Sequence, residues 1–345
     1  MDKQKLLPFR WGTRKRMRFV GSVDYSSGAE LNPVRFPQTG MAAAIILEVS
    51  GTMNVSGSPG VLVDKGAWNL LKRIKWEINQ ATSTIIDLTG FGAFLVGSKL
   101  ARGFRPDSSP STPSSLTYAA PVANGNNTWK LMYYLPISVN MGGEFESGLI
   151  NLQAGDVEAN LNITCGANAD VFASGAGTGF TGTIKVYYVY FDVASPAQFK
   201  WPPRQVCRTI EAAQPILVTG DYTTYQIPRQ GRLLDLTEVV RCNGSLSNAV
   251  DKFLLLINKN DSVEEVDASV MAYLQGMNHT NVFPTGVFNW GYLNAMGEPM
   301  AGDMRDTLDT TSVTTIEFQT LITSGTTLGT NNNDCSFIRR VLVNL

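Results

Sequence analysis

Histidine is nearly missing from this 345-residue chain; the only one is His279, in the polar stretch "QGMNHTNVFPTG". A single imidazole with no nucleophile elbow around any serine gives a Ser-His-Asp triad no support. The four cysteines, Cys165, Cys207, Cys242 and Cys335, stand far apart with no C-x-x-C pair. That spacing builds no zinc site and reads as four buried, reduced thiols. Long apolar runs are missing as well. The longest, "AAAIILEV" and "FGAFLVGS", have strand length, well below the ~18 residues of a membrane-spanning helix. Pro8, Arg10 and Arg14 interrupt the first residues, so no secretory core forms there and the protein is expected to stay where it is made. Charge is scarce too: Asp, Glu, Lys and Arg make up 17% of the residues, against about 25% in ordinary soluble domains. A surface so poor in charge suits a protein whose faces are covered by partner subunits.

What is present is β-type texture. Short apolar runs alternate with turns rich in Gly, Ser, Thr and Asn. In "MAAAIILEVSGTMNV" Ile45, Leu47 and Val49 alternate, and "LLKRIKWEIN" sets Leu70, Ile74, Trp76 and Ile78 at period 2 with Lys75 and Glu77 facing away. A helix through Leu71, Ile74 and Ile78 would fit the second run, but its neighbours "STIIDLTG" and "FGAFLVGS" favour strands. "WKLMYYLPISV", "VEANLNITC" and "TIKVYYVYFDV" complete a first strand set. Two long polar stretches, Arg102–Asn127 and Gly166–Gly182, interrupt it. Three prolines in "ASPAQFKWPPRQ" (Ala194–Gln205) mark a linker, after which short β-type runs resume to the end of the chain. One helix is predicted among them, over Asp261–Gly276, with Asp261 as its cap. "TIIDLTGF" (Thr84–Phe91) echoes "RLLDLTEV" (Arg232–Val239), which favours two β-sandwiches related by duplication. The divisions are residues 1–40, a basic arm and extended lead-in; 41–195, a first sandwich; 196–205, the linker; and 206–345, a second sandwich.

No constellation for chemistry emerges. "SGAGTGFTG" has the glycines of a phosphate loop but no following helix, so it reads as a turn. Asn258, Asn260, Ser262 and Glu264 alternate as calcium ligands would, without the loop glycine or terminal Glu. Asp303, Asp306 and Asp309 form a second acidic cluster, and nothing selects a carboxylate pair for glycoside hydrolysis. N-glycosylation sequons at Asn54, Asn126, Asn162, Asn243 and Asn278 read as incidental. The expectation is a protein that is not an enzyme, with no cofactor, metal or small-molecule substrate.

Charge is placed unevenly. Seven of the 28 basic residues and one of the 29 acids fall in residues 1–18, so the remainder carries a net charge of −7. The candidate contact residues are Lys3, Lys5, Arg10, Trp11, Arg14, Lys15, Arg16 and Arg18, with Leu6, Leu7, Phe9 and Phe19 adding apolar groups.

The basic arm Met1–Phe19, two strand sets divided at "SPAQFKWPPRQ", and the runs "WNLLKRIKWEINQATSTIIDLTG" and "LMYYLPISVNMGGEFESGLINLQ" together resemble the double jelly-roll major capsid proteins of tailless icosahedral viruses. The likeness is greatest to the internal-membrane bacteriophages, with adenovirus hexon a distant relative. The resemblance implies two eight-stranded jelly rolls per chain, each with an accessory helix, although the sequence offers a helix only in the second. It implies homotrimers forming pseudo-hexagonal capsomers, contacts with neighbouring capsomers and minor capsid proteins, and a place in the virion after synthesis in host cytoplasm. Arg102–Asn127 and Gly166–Gly182 would be outward towers. The arm would face an internal lipid membrane or the genome. Its mixture of apolar and cationic groups suits a headgroup region, whereas nucleic-acid phosphates would need only the charges. The alternative is a receptor- or carbohydrate-binding β-sandwich of a spike or adhesin, with Trp290 and Tyr292 as sugar-stacking candidates.

Overall fold

The computed structural model describes residues 6–56, 60–64, 66–79, 83–100, 124–141, 145–155, 157–174, 179–193, 197–259, 261–278, 284–291 and 307–344. The described chain divides into two compact units, with the boundary between Cys207 and Arg208.

The first unit has eight principal strands: β1 (Lys15–Asp24), β2 (Val34–Arg35), β3 (Met41–Val55), β4 (Leu71–Ile78), β5 (Ser83–Leu88), β6 (Gly125–Pro136), β7 (Ala159–Cys165) and β8 (Gly179–Phe191). One sheet runs β1-β8-β3-β6 and the other β2-β7-β4-β5, every pair antiparallel. The period-2 pattern does what it predicts: Ile45, Leu47 and Val49 point inward and are fully buried, as are Leu131, Tyr133 and Leu135 on β6 and Trp76 on β4.

The second unit repeats the scheme with β9 (Gln205–Pro215), β10 (Tyr222–Gln226), β11 (Arg232–Cys242), β12 (Val250–Ile257), β13 (Asp261–Asp267), β14 (Val287–Gly291), β15 (Ile316–Ile322) and β16 (Asp334–Asn344). Its sheets run β9-β16-β11-β14 and β10-β15-β12-β13. Adding eight to each strand number of the first unit reproduces this order, so both units are eight-stranded jelly rolls of one topology. Helix α1 (Gly90–Leu100) follows β5, and α2 (Ala268–Asn278) follows β13 at the equivalent place. The interior of the second unit clusters Phe253, Phe288, Trp290, Phe318 and Phe337, but it also holds ionisable groups. Glu238 accepts hydrogen bonds from Thr320 at 2.8 Å and from Cys335. Asp235 pairs with Arg340 at 2.9 Å, both buried on the face of β11 and β16 opposite that cluster.

Several expectations need correction. "FGAFLVGS" is helix α1, not a strand. A short run that is apolar all round has no period to separate a buried strand from a buried helix, and Thr89 decides it by accepting the Gly92 N–H at 3.0 Å. Gly90 sits against the Trp68 and Leu71 carbonyls and Gly97 against Tyr134 backbone, so the helix lies where a larger residue would clash. The first jelly roll thus has the helix the sequence did not reveal. The helix expected over Asp261–Gly276 begins only at Ala268. Val266 and Glu265 instead pair with Phe253 and Leu254 as strand β13, so Asp261 is a strand residue, not a cap. Residues 15–40 are not outside the first sandwich, because β1 and β2 are strands of its two sheets. Glu77 does not face water: it is buried, held by Lys75 and by Asn162 at 2.8 Å. The echo between Thr84–Phe91 and Arg232–Val239 joins β5 to β11, which are not equivalent strands; the equivalence of the units lies in strand order. Gly166–Gly182 is not one open loop, since Asn168–Val171 is helical, Phe172–Ser174 pairs with Val61–Leu62, and Gly179–Gly182 belong to β8.

Strand direction gives the first unit two ends. Residues 6–14, 36–40, 145–155 and 197–204 gather where β1 and β3 start and β6 and β8 finish. Residues 25–33 and 166–174, with Gly125–Asn127 of β6, lie at the opposite end. Residues 102–123 and 175–178, the centres of the two expected tower stretches, lie outside the described residues.

Candidate functional site

The N-terminal residues from Leu6 onward are seated on the first unit. A turn of 3-10 helix at Phe9–Trp11 is closed by the Gly12 N–H donating to the Phe9 carbonyl at 3.1 Å. Phe9 is fully buried among Met41, Ala43, Leu149 and Phe191, its ring edge-on to Phe191 at 5.9 Å. Burying one such ring contributes about 2 kcal/mol, enough to pin the segment. Phe9, expected at an interface, is instead the peg.

Arg10 donates from Nε to Glu146 at 3.1 Å, while the Ser138 hydroxyl donates to the other Glu146 oxygen at 2.9 Å. The Leu7 N–H donates to the Gln198 carbonyl at 3.0 Å, and the Lys200 N–H to the Leu7 carbonyl at 2.8 Å. This parallel bridge ties the N-terminal segment to the linker. A Cβ at Gly12 would come within 2.6 Å of the Phe199 ring, so only glycine permits the approach.

With Phe9 drawn in, its neighbours turn out. Trp11 is 75% exposed, Leu6 43% and Leu7 44%. Farther on, Lys15 to Phe19 are exposed on both faces of β1, because β2 at the edge of the opposite sheet is two residues long and cannot cover them. Arg16 donates to Asp192 at 2.7 Å and Arg18 to Thr39 at 3.4 Å. Arg14 and Lys15 are exposed. Lys3 and Lys5 lie outside the described residues; the other candidates share one end and edge of the first unit.

Sequence reasoning missed the linker's part. Lys200, Trp201 and Arg204 are exposed in the segment that the Leu7 bridge ties to the N-terminal residues, and Phe199 packs on the same cluster as Phe9. The signal was legible: Phe9-Arg10-Trp11 recurs as Phe199-Lys200-Trp201.

The other candidates act as braces. Asn258 accepts from the Thr314 N–H and hydroxyl at 2.8 and 2.7 Å, and Asp309 accepts from the Thr311 hydroxyl at 2.7 Å. Glu264 accepts from the Trp290 indole, and Trp290 belongs to the core. His279, Asn260, Tyr292, Asp303 and Asp306 lie outside the described residues. All four cysteines are buried. Among the described residues no His, Cys, Asp and Glu cluster could hold a metal, and no helix is long and apolar enough to cross a membrane.

No protein-family model matches the chain, and no curated protein matches it by sequence. Solved structures do. The major capsid protein of Sulfolobus turreted icosahedral virus superposes with a TM-score of 0.70 at 12% identity, covering 95% of this chain and 96% of that one. PBCV-1 VP54, fitted into a reconstruction of the virophage Sputnik, gives 0.65 at 11% identity over 96% and 94%. The major capsid protein P2 of bacteriophage PM2 gives 0.56 at 10% over 95% and 96%. The chain therefore has the double jelly-roll fold of these proteins along nearly its whole length.

Proposed function

We propose that this protein is a viral shell component: a major capsid protein, not an enzyme, resident in the virion after synthesis in host cytoplasm. The observation that carries the reading is the end-to-end match, covering both jelly rolls, to three viral capsid proteins. Two similar barrels in one chain give a trimer six similar modules, the shape that tiles as a pseudo-hexagonal capsomer. The low charge fraction fits faces that neighbouring capsomers or minor capsid proteins cover.

In this reading the end of the first unit that carries residues 6–14 is the inner end, facing an internal membrane or the genome. The opposite end, where β6 and β8 begin after the two tower stretches, faces outward. Lys3, Lys5, Arg10, Trp11, Arg14, Lys15, Arg16 and Arg18 belong to the inner contact.

Mass decides between this and a receptor- or carbohydrate-binding sandwich. A shell protein purifies as a trimer and dominates a megadalton particle in electron microscopy. A small oligomer with glycan affinity and no particle overturns the proposal.

A further inference from the structure

We propose that the two triplets Phe9-Arg10-Trp11 and Phe199-Lys200-Trp201 form one twin anchor that seats the first unit on an anionic lipid bilayer, Trp11 and Trp201 entering the headgroup layer. This anchor rests on the shell reading, in which that end of the first unit faces the particle interior, and it names the surface touched there.

The triplets are alike in role as well as in sequence. Both phenylalanines pack into the cluster of Met41, Leu149 and Phe191, and both tryptophans lie on the exposed side, Trp11 at 75% and Trp201 at 37%. The Leu7 bridge holds the two segments side by side, so the indoles are carried by a backbone already fixed before any partner arrives. No carboxylate interrupts residues 6–15 or 197–206, which hold five basic side chains. Glu146, Glu158 and Asp192, which ion-pair at this end, are engaged by Arg10, Arg35 and Arg16. Arg14, Lys15 and Arg204, each within four residues of Trp11 or Trp201 along the chain, are exposed.

The apolar content favours lipid over nucleic acid. A phosphate backbone is bound by cations alone, and single strands add base stacking on aromatic faces. Neither has use for the exposed aliphatic groups of Leu6 and Leu7. A bilayer interface takes all three classes together: indoles at the headgroup level, aliphatic side chains just below, and basic residues against anionic lipid, each worth about 1 kcal/mol.

The test is flotation of the full-length protein with vesicles of phosphatidylcholine plus phosphatidylglycerol, of phosphatidylcholine alone, and in competition with single-stranded and duplex DNA. Binding to the anionic vesicles is expected, with a blue shift of tryptophan emission. Trp11→Ser, at a position 75% exposed, should weaken it about tenfold with unchanged melting, and Trp201→Ser, at a position 37% exposed, should weaken it about tenfold with a lowered melting temperature. Vesicle binding that both variants retain in full, or no vesicle binding by protein that assembles normally, overturns the anchor. So does a Trp11-dependent preference for single-stranded DNA over vesicles. Vesicle binding without any trimer or particle leaves the anchor standing and removes the shell reading, so the two failures are distinguishable.

Discussion

The two jelly rolls share a strand order and differ inside. The first is filled with aromatic and aliphatic side chains, with Trp68, Trp76, Trp129, Tyr133 and Tyr188 among its largest fully buried groups. The second holds Glu238 inside, between Thr320 and Cys335, and buries Arg340 against Asp235 on the other face of the same sheet. One topology therefore tolerates two chemistries: register and alternation place the strands, and the interior has only to be filled and, where polar, satisfied.

The largest effect that would sharpen this contrast is expected at Trp76. Its indole N–H is buried without a hydrogen-bond partner among the described residues, so packing alone holds the ring against Phe36, 5.7 Å between centroids. Trp76→Ala should cost about 4 kcal/mol in denaturant unfolding, and Trp76→Phe much less. Equal losses for both would mean that the first interior is not held by packing. In the second unit, Arg340→Met leaves Asp235 charged and buried, and should cost about 3 kcal/mol; Arg340→Met with Asp235→Leu should recover most of it. A double variant no better than the single one would deny that the pair acts as a unit.

Acid separates the units by sign. Burial pushes the Glu238 carboxyl from its ordinary 4.5 up to about 7. The folded state therefore holds the proton more tightly, so Glu238 supports folding most below about pH 4.5, and that support is lost as pH rises towards 7. Glu238→Gln should stabilise the protein above pH 7 by on the order of 2 kcal/mol and change little in acid. Melting curves of variant and parent that stay parallel across this range would refute it.

Glu48 in the first unit behaves oppositely. Hydrogen bonds from Lys130 at 2.9 Å and Lys185 at 3.4 Å hold its carboxyl below 4.5. Its contribution is present above its ordinary value and lost as pH falls through the lowered one. Being near the surface, it is worth less: Glu48→Gln should cost under about 1 kcal/mol at neutral pH and nothing in strong acid.

Legibility followed physical cause. The alternation in β3, β4 and β8 was readable because each strand has a wet and a dry side, and Ile45, Leu47 and Val49 are buried where period 2 puts them. Helix α1 was not, since a helix apolar all round carries no period. Strand β13 reads as helix because Asp261, Glu264 and Glu265 resemble a capped first turn; pairing with β12 overrides them. Strand β1 hides inside a charge run. "KRMRF" sets Met17 and Phe19 against Arg16 and Arg18, but β1 is an edge strand exposed on both sides there, so neither face is dry and only its register with Tyr187 to Phe191 identifies it. A deletion of Met1–Arg18 therefore cuts into the sheet, and a test of the N-terminal segment should stop at Arg14.

By itself the sequence determined the β class, a proline-rich break at Ala194–Gln205 and the opposition of a cationic leader to an acidic remainder. These are local properties, written in alternation, in proline's missing N–H and in the tally of charges along the chain. Only the tertiary structure decided which phenylalanines became pegs and which tryptophans stayed outside. Phe9 and Phe199 stand 190 residues apart, and their convergence on one apolar cluster depends on where β1, β3 and β8 begin and end in space. No window of sequence contains that fact.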